Sequence, residues 1–331
     1  MLKNLSLPAR LGLLLAVIAG LYFAIVAFDN DSKVAPALAV DSVPDAASTT
    51  APKATPAKPA APKASFNYLP PAPVDGKLRG VVELGASGFN SFIVTIDSQH
   101  NWQLNKAEFD NSLLLENMAS DEEIRRGLRA YIANMLDYGV AGRDIHFVVS
   151  SGALKASATK RITQELARLG YVVNKMTPER EAALGMSVAL PAPFIGKAFV
   201  VDLGSGGTEI SWMENDTPQS VTTYGSKYFE QDVASDLVAN DVRVKAQRVP
   251  AELRGTCFII GGVPYEMAKQ VRQGKERYTV LDPASAYQFD KAKAKAGLVI
   301  YRALAEATGC QQFVFDWDAN FTIGYLLSRP Q

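Results

Sequence analysis

Histidine and cysteine are almost missing from this chain of 331 residues. There are two of each, His100 and His146, Cys257 and Cys310, with no CxxC pair and no Cys/His cluster. A structural zinc site needs four such ligands at close spacing, so none is expected. Histidine-based triad chemistry has few places to act. Net charge is missing as well, since 34 basic residues balance 34 acidic ones. Nucleic-acid binders carry a basic footprint, so no nucleic acid is expected as a partner. The hydrophobic fraction of 48% and charged fraction of 21% are those of a globular protein, and the length leaves room for two cores.

Long uncharged runs are scarce too, with one exception near the start. Leu11–Phe28, LGLLLAVIAGLYFAIVAF, is eighteen residues without a charge, just long enough to span a bilayer as a helix. Lys3 and Arg10 precede it and Asp29 and Asp31 follow. The positive-inside rule then leaves the N-terminus in the cytoplasm and the rest of the chain outside. The other reading is a cleaved signal peptide processed near Ala37 or Ala39, although the apolar run exceeds a usual signal core. Residues 34–74 form a linker. In Ala51–Ala64 every residue but Thr55 is Ala, Pro or Lys, a composition that blocks helix and sheet and favours an extended spacer with a reach on the order of 100 Å.

The expected divisions are therefore 1–33 for tail and anchor, 34–74 for the linker, 75–193 for a first lobe and 194–331 for a second. In the first lobe, Gly80–Leu84 and Ser91–Asp97 read as strands joined by Gly85–Ala86–Ser87–Gly88. In the second, Ala198–Leu203 and Glu209–Met213 read as strands joined by Gly204–Ser205–Gly206–Gly207–Thr208. The acids Glu83 and Asp202 hold matching places, 119 positions apart, as in a duplicated unit with a ligand between its copies. Turn amides between such strands point into one concavity. Asp121–Leu136 reads as an amphipathic helix capped by Ser120. Thr159–Leu169, Glu179–Leu190, Tyr228–Asn240 and Ala292–Thr308 read as further helices. Ile145–Val149, Tyr171–Asn174, Thr256–Ile260 and Phe313–Asp316 read as strands. This alternation predicts an α/β fold.

Laid out in this order, the segments resemble the exopolyphosphatase and guanosine pentaphosphate phosphatase family of the actin-like superfamily, over about 250 residues from Leu78 to Leu327. VVELGASGFNSF is similar to the family's first phosphate loop, and VSSGALKAS to its Thr-Ser-Ala-x-Arg segment. TPEREAAL is similar to Ser-Gly-x-Glu-Glu-Ala-Arg-Leu, and VVDLGSGGTEI to Asp-Ile-Gly-Gly-Gly-Ser-Thr-Glu. TCFIIGGVPYEMA resembles the third glycine-rich segment. The resemblance implies a two-lobed actin-like (ribonuclease H-like) domain whose central cleft holds phosphoanhydride chains. It implies phosphate binding by Gly85, Ser87, Gly88, Lys155, Gly204, Ser205, Gly206, Gly207, Thr208, Gly261 and Gly262. It implies Mg²⁺ held by Glu83, Asp202 and Glu209, with Glu181 and Glu83 in catalysis. The implied partner is polyphosphate or another phosphorylated small molecule, with a homodimer as the assembly. Joined to the anchor, it implies a single-pass protein of a bacterial inner membrane with a periplasmic folded domain.

The departures from the family pattern bear on turnover. Glu83 stands for an aspartate, Ala86–Ser87–Gly88 for Ser-Asn-Ser, and Lys155 for an arginine, which loses the bidentate fork. The glutamate expected as general base in the following helix aligns with Arg161 or Ile162. Two functions stay open: a phosphoanhydride hydrolase, and a catalytically inactive binding or scaffold module of the cell envelope. In the two-lobed fold the strands at Cys257 and Cys310 are parallel neighbours. The two sulfurs are then either bonded or buried as thiols.

Overall fold

The computed structural model describes residues 66–85, 88–111, 120–155 and 157–330, all within the unit Pro62–Gln331. The apolar run Leu11–Phe28 lies outside them. Among the described residues no helix is long and apolar enough to cross a membrane.

The first lobe is built on β1 (Lys77–Gly85), β2 (Gly88–Ile96), β3 (Trp102–Asn111), β4 (Ile145–Val149) and β5 (Val173–Lys175), with helices α1 (Asp121–Tyr138), α2 (Ser157–Arg168) and α3 (Pro178–Ala189). The second has β6 (Ala198–Leu203), β7 (Gly207–Glu214), β8 (Thr217–Tyr224), β9 (Thr256–Ile260), β10 (Tyr278–Val280) and β11 (Gln312–Asp316). Its helices are α4 (Ser235–Ala246), α5 (Gly262–Val271), α6 (Ala292–Thr308) and α7 (Phe321–Leu327). The sheet orders are β3-β2-β1-β4-β5 and β10-β11-β9-β6-β7-β8. Read outward from β1 and from β6, both have two antiparallel partners on one side and parallel partners on the other. The second sheet adds β10 at its edge. The repeat inferred from two glycine turns is thus a repeat of whole sheets.

Both sheets are covered on both faces, which is why their central strands read as unbroken apolar runs. In β1, Val81 faces the core shared with the second lobe, whereas Val82 and Leu84 face a core formed with α1 and α2. In β6, Ala198 and Val200 face the shared core, and Phe199, Val201 and Leu203 pack with α4, α5 and α6. Helices α3 and α7 fill the shared core between the sheets. Five layers result, α/β/α/β/α.

Helix ends follow local chemistry. Ser120 and Glu123 form a reciprocal capping box on α1, and Gly139 stops it at φ 106. Thr177 caps α3, with Pro178 in its first turn. The expected helix over 228–240 is instead two pieces. A 3-10 turn at Tyr228–Gln231 ends at Asp232, whose φ of 55 is left-handed, and α4 begins only at Ser235. The two pieces are clasped by a 2.7 Å hydrogen bond between the hydroxyls of Tyr228 and Ser235. Strands β3 and β8 were not anticipated. They are edge strands held by pairing, and their exposed faces carry polar residues that mask the alternation.

Two further differences concern the linker and the cysteines. Phe66 and Tyr68, assigned from sequence to the linker, pack on the second lobe. The Phe66 ring lies 5.3 Å from that of Phe194, 5.5 Å from Phe258 and 5.4 Å from Tyr278. The chain then reaches the first lobe, where the Val74 amide donates to Asp97 at 3.0 Å. Strands β9 and β11 are parallel neighbours, with Phe313 opposite Cys257. Both cysteines are free thiols, Cys257 buried and Cys310 partly so.

Candidate functional site: a carboxylate-lined cleft between two glycine turns

The C-terminal ends of β1, β4, β6 and β9 converge on a cleft of about 800 Å³ between the lobes. Ligands of open α/β sheets bind at this end of the strands, because loop amides and helix N-termini point there. The second glycine turn enters through Gly204, Ser205, Gly206 and Gly207, the third through Gly261 and Gly262, and the first through Gly85 and Gly88. Seven acids line the cleft with them, among them Glu83, Glu181, Asp202 and Glu209.

Each acid is set in place by its element. On β1, Glu83 lies opposite Asn90 of β2; on β6, Asp202 lies opposite Glu209 of β7. The spacing of 119 relates both pairs, so Asn90 holds in the first lobe the place that Glu209 holds in the second. One oxygen of Glu83 accepts from the Asn90 amide at 2.8 Å and from Asn320 at 3.2 Å. Asn320 also caps α7 through the Thr322 amide at 2.8 Å. Glu181, in the first turn of α3, accepts from the Ser151 amide and the Ser151 hydroxyl, both at 2.7 Å.

Burial dominates the electrostatics. It raises Glu83 to about 7 despite the two asparagine bonds, with the Glu181 charge adding to the rise. Asp202 is raised by burial and then by the charges of Glu181 and Glu83, and Glu209 by burial and then by Asp202. Glu181 is raised by burial, against the two Ser151 bonds. Buried like-charged acids at one site hold protons that exposed ones release.

The glycine turns differ. The first hairpin pairs as far as Gly85↔Gly88, leaving two residues in its turn. The second pairs only to Leu203↔Thr208 and leaves four, Gly204–Gly207. This wider turn is tied down from behind. Ser226 and Lys227 donate their amides to the carbonyls of Gly204 and Ser205 at 2.9 and 3.0 Å. The approach requires Gly225, where a Cβ would fall 2.4 Å from both the Gly207 nitrogen and the Ser205 oxygen. Gly261, at φ 113, passes so close to Leu203 that a Cβ would sit 2.3 Å from its carbonyl oxygen.

Not every expected site residue is described at the cleft. Thr208 is fully buried and its hydroxyl donates to the Tyr224 carbonyl at 2.8 Å, so its side chain braces β7 against β8. Ser87 lies outside the described residues, and only the backbone of Lys155 is described, in a 3-10 turn after β4. Glu83, Asp202 and Glu209 do not surround one point: among the described residues no group of three His, Cys, Asp or Glu is placed to hold one metal ion. The positions aligned with the family's general base carry no acid. Ile162 is buried in the core between α1, α2 and the first sheet, and Arg161 pairs with Asp121 at 2.8 Å. The nearby acid Glu165 is tied to Arg125 and Arg168. Helix α2 sends no acid to the cleft; α3 sends Glu181.

Asn90, Ser151, Asn320, Gly225 and Lys293 were not singled out from the sequence. Asn90 was within reach through the 119-residue spacing. Asn320 lies 237 residues from Glu83, the acid it contacts, and no local pattern announces it.

No protein-family model matches the sequence, and a search of curated proteins finds no match. Solved structures do match. The PPX-GPPA enzyme of Aquifex aeolicus superposes with a TM-score of 0.58 at 16% identity, covering 76% of this chain and 99% of that one. An exopolyphosphatase from Cytophaga hutchinsonii gives 0.58 at 11%, covering 76% and 96%. This is the Ppx/GppA fold. An exopolyphosphatase-like protein gives 0.58 at 16%, covering 77% and 98%. The likeness therefore spans nearly the whole of those chains, which share this two-lobed α/β fold.

Proposed function

We propose that the protein is a phosphatase-like protein of the exopolyphosphatase/guanosine pentaphosphate phosphatase type, and that it binds and hydrolyses a phosphoanhydride-containing ligand in this cleft. One observation carries the reading: Glu181, held by both donors of Ser151, lines the same cleft as the glycine turns. A buried carboxylate with a raised pKa is suited to take a proton from water near neutral pH. The turn amides of Gly204–Gly207 are placed to receive phosphate oxygens. Seven acids line the cleft against two lysines, so a polyanion cannot enter unaided. The donors fit a hard cation of the Mg²⁺ kind, which prefers oxygen and takes one or two carboxylates beside phosphate and water. Asp202 and Glu209, facing each other across β6 and β7, would hold it, and it would supply charge neutralisation.

The pairing of Gly85 with Gly88 favours a second reading, a binding module without turnover, because fewer residues stand outside the ladder there than in the second turn. The test is phosphate release from long-chain polyphosphate by the full chain with Mg²⁺. Release that Glu181→Gln abolishes supports hydrolysis. Saturable binding without release supports the module, and neither outcome rejects the cleft as a phosphate site.

We also propose that Leu11–Phe28 anchors the chain in a bacterial inner membrane with the folded domain in the periplasm. The uncharged run and the flanking charges support this. Protease added to spheroplasts should remove the folded domain; protection until lysis would place it in the cytoplasm.

A further inference from the structure

A glutamate has two methylenes between its backbone and its carboxylate, so its oxygens keep a fixed place only where something holds them. For Glu83 two amides do so, and both meet the same atom. Oε2 of Glu83 accepts from the side-chain amide of Asn90 at 2.8 Å and from that of Asn320 at 3.2 Å. The other oxygen, Oε1, lies on the side of the first glycine turn. A Cβ on Gly85 would stand 3.0 Å from it, and Gly85 lines the cleft. Asn90 is a local partner, paired with Glu83 in the hairpin. Asn320 comes from 237 residues away, and it is itself held. Its Oδ1 accepts from the Thr322 amide at 2.8 Å and from the Thr322 hydroxyl at 2.6 Å. With that oxygen occupied, the nitrogen end of the amide has to face Glu83. Thr322 is fully buried, so the start of α7 is a firm mount for this donor.

We propose that Asn320 is a positioning residue for hydrolysis in the cleft: by holding Oε2 of Glu83 it presents Oε1 to the reacting end of the ligand. The inference rests on the hydrolase reading and gives Glu83 a defined part in it. Capping α7 needs only the oxygen of Asn320. The nitrogen has no part in that task and serves Glu83. A carboxylate already in place needs no reorganisation when the reaction begins, so loss of the donor should appear in kcat and not in KM.

The test is phosphate release from long-chain polyphosphate by the full chain with Mg²⁺, with kcat and KM measured separately. Asn320→Ser keeps an oxygen for the Thr322 amide, and with it the cap, but is too short to reach Glu83. It should lower kcat about tenfold, the size of one hydrogen bond to a charged group. KM and the melting temperature should stay near those of the wild type. Asn320→Asp also caps, but sets a carboxylate against Glu83, and should lower kcat further. In a Glu83→Ala background Asn320→Ser should cost nothing more, because no carboxylate is left to hold. A wild-type kcat in Asn320→Ser overturns the proposal and leaves Asn320 a helix cap, while hydrolysis stands. Equal losses in the two backgrounds overturn it as well, and would give Asn320 a task independent of Glu83. A wild type that releases no phosphate overturns the hydrolase reading and this role together.

Discussion

One oxygen of Glu83 lies between the amides of Asn90 and Asn320, yet its pKa still rises to about 7, since burial outweighs both bonds. The folded protein then binds more protons than the unfolded chain between the ordinary value of 4.5 and about 7. Stability must fall as pH rises through that window, by about 3 kcal/mol for this group. We expect melting of the full chain to show this loss between pH 5 and pH 8, and Glu83→Gln, neutral at both, to reduce it, the rest coming from Asp202, Glu181 and Glu209. A slope unchanged in the variant would assign the effect to other groups. Mg²⁺ should raise the melting temperature more at pH 8 than at pH 5. The second residue-scale expectation concerns the base. Glu181→Gln should lower any polyphosphate hydrolysis by about 10²–10⁴-fold. Arg161→Glu should restore none, because α2 does not reach the cleft, and a gain from it would return the base to α2.

Among the elements, the two hairpins are unequal copies. The second turn has four residues outside the ladder, braced by the segment at Gly225, and the first has two. Ligand binding should therefore be far more sensitive in the second. Gly225→Ala forces a methyl into the turn backbone and should abolish binding of phosphate ligands while the sheets remain. Ser87→Ala should cost under about 1 kcal/mol, the size of one neutral hydrogen bond. Similar losses in a titration of the two variants would show that the first turn carries an equal share.

For the molecule as a whole, residues 66–74 link the lobes at the side away from the strand ends. Phe66 sits among Phe194, Phe258 and Tyr278 of the second lobe, and Val74 bonds to Asp97 of the first. Phe66→Ala should cost about 2 kcal/mol, below the value for a fully buried phenylalanine. A fragment beginning at residue 75 should melt below one beginning at 62. Equal melting temperatures would show that this contact adds nothing to stability. Trp102 of β3 meets Arg277 of the second lobe at 4.2 Å, and that arginine is paired bidentately with buried Asp316 at 3.0 Å. Contacts of this kind join the lobes on the flank of the cleft.

Local periodicity and turn chemistry were enough to place most elements, because they act within a few residues. Ser120 opens α1, and the apolar runs of β1, β4, β6 and β9 follow from burial on both faces. The 119-residue spacing also announced the repeat and its two facing acids, since a strand's register with its hairpin partner is a local matter. What local pattern could not decide was which residues meet across the lobes. Asn320 reaches Glu83 only after α7 is packed between the sheets. Lys293 reaches Gly262 only because α6 starts beside α5. Thr208 looked like part of a phosphate loop until pairing with β8 turned its hydroxyl to the Tyr224 carbonyl. The base could not be assigned for the same reason. Whether α2 or α3 supplies an acid to the cleft depends on which helix face the sheet buries, and only the packed structure sets Glu181 inward and Glu165 between two arginines.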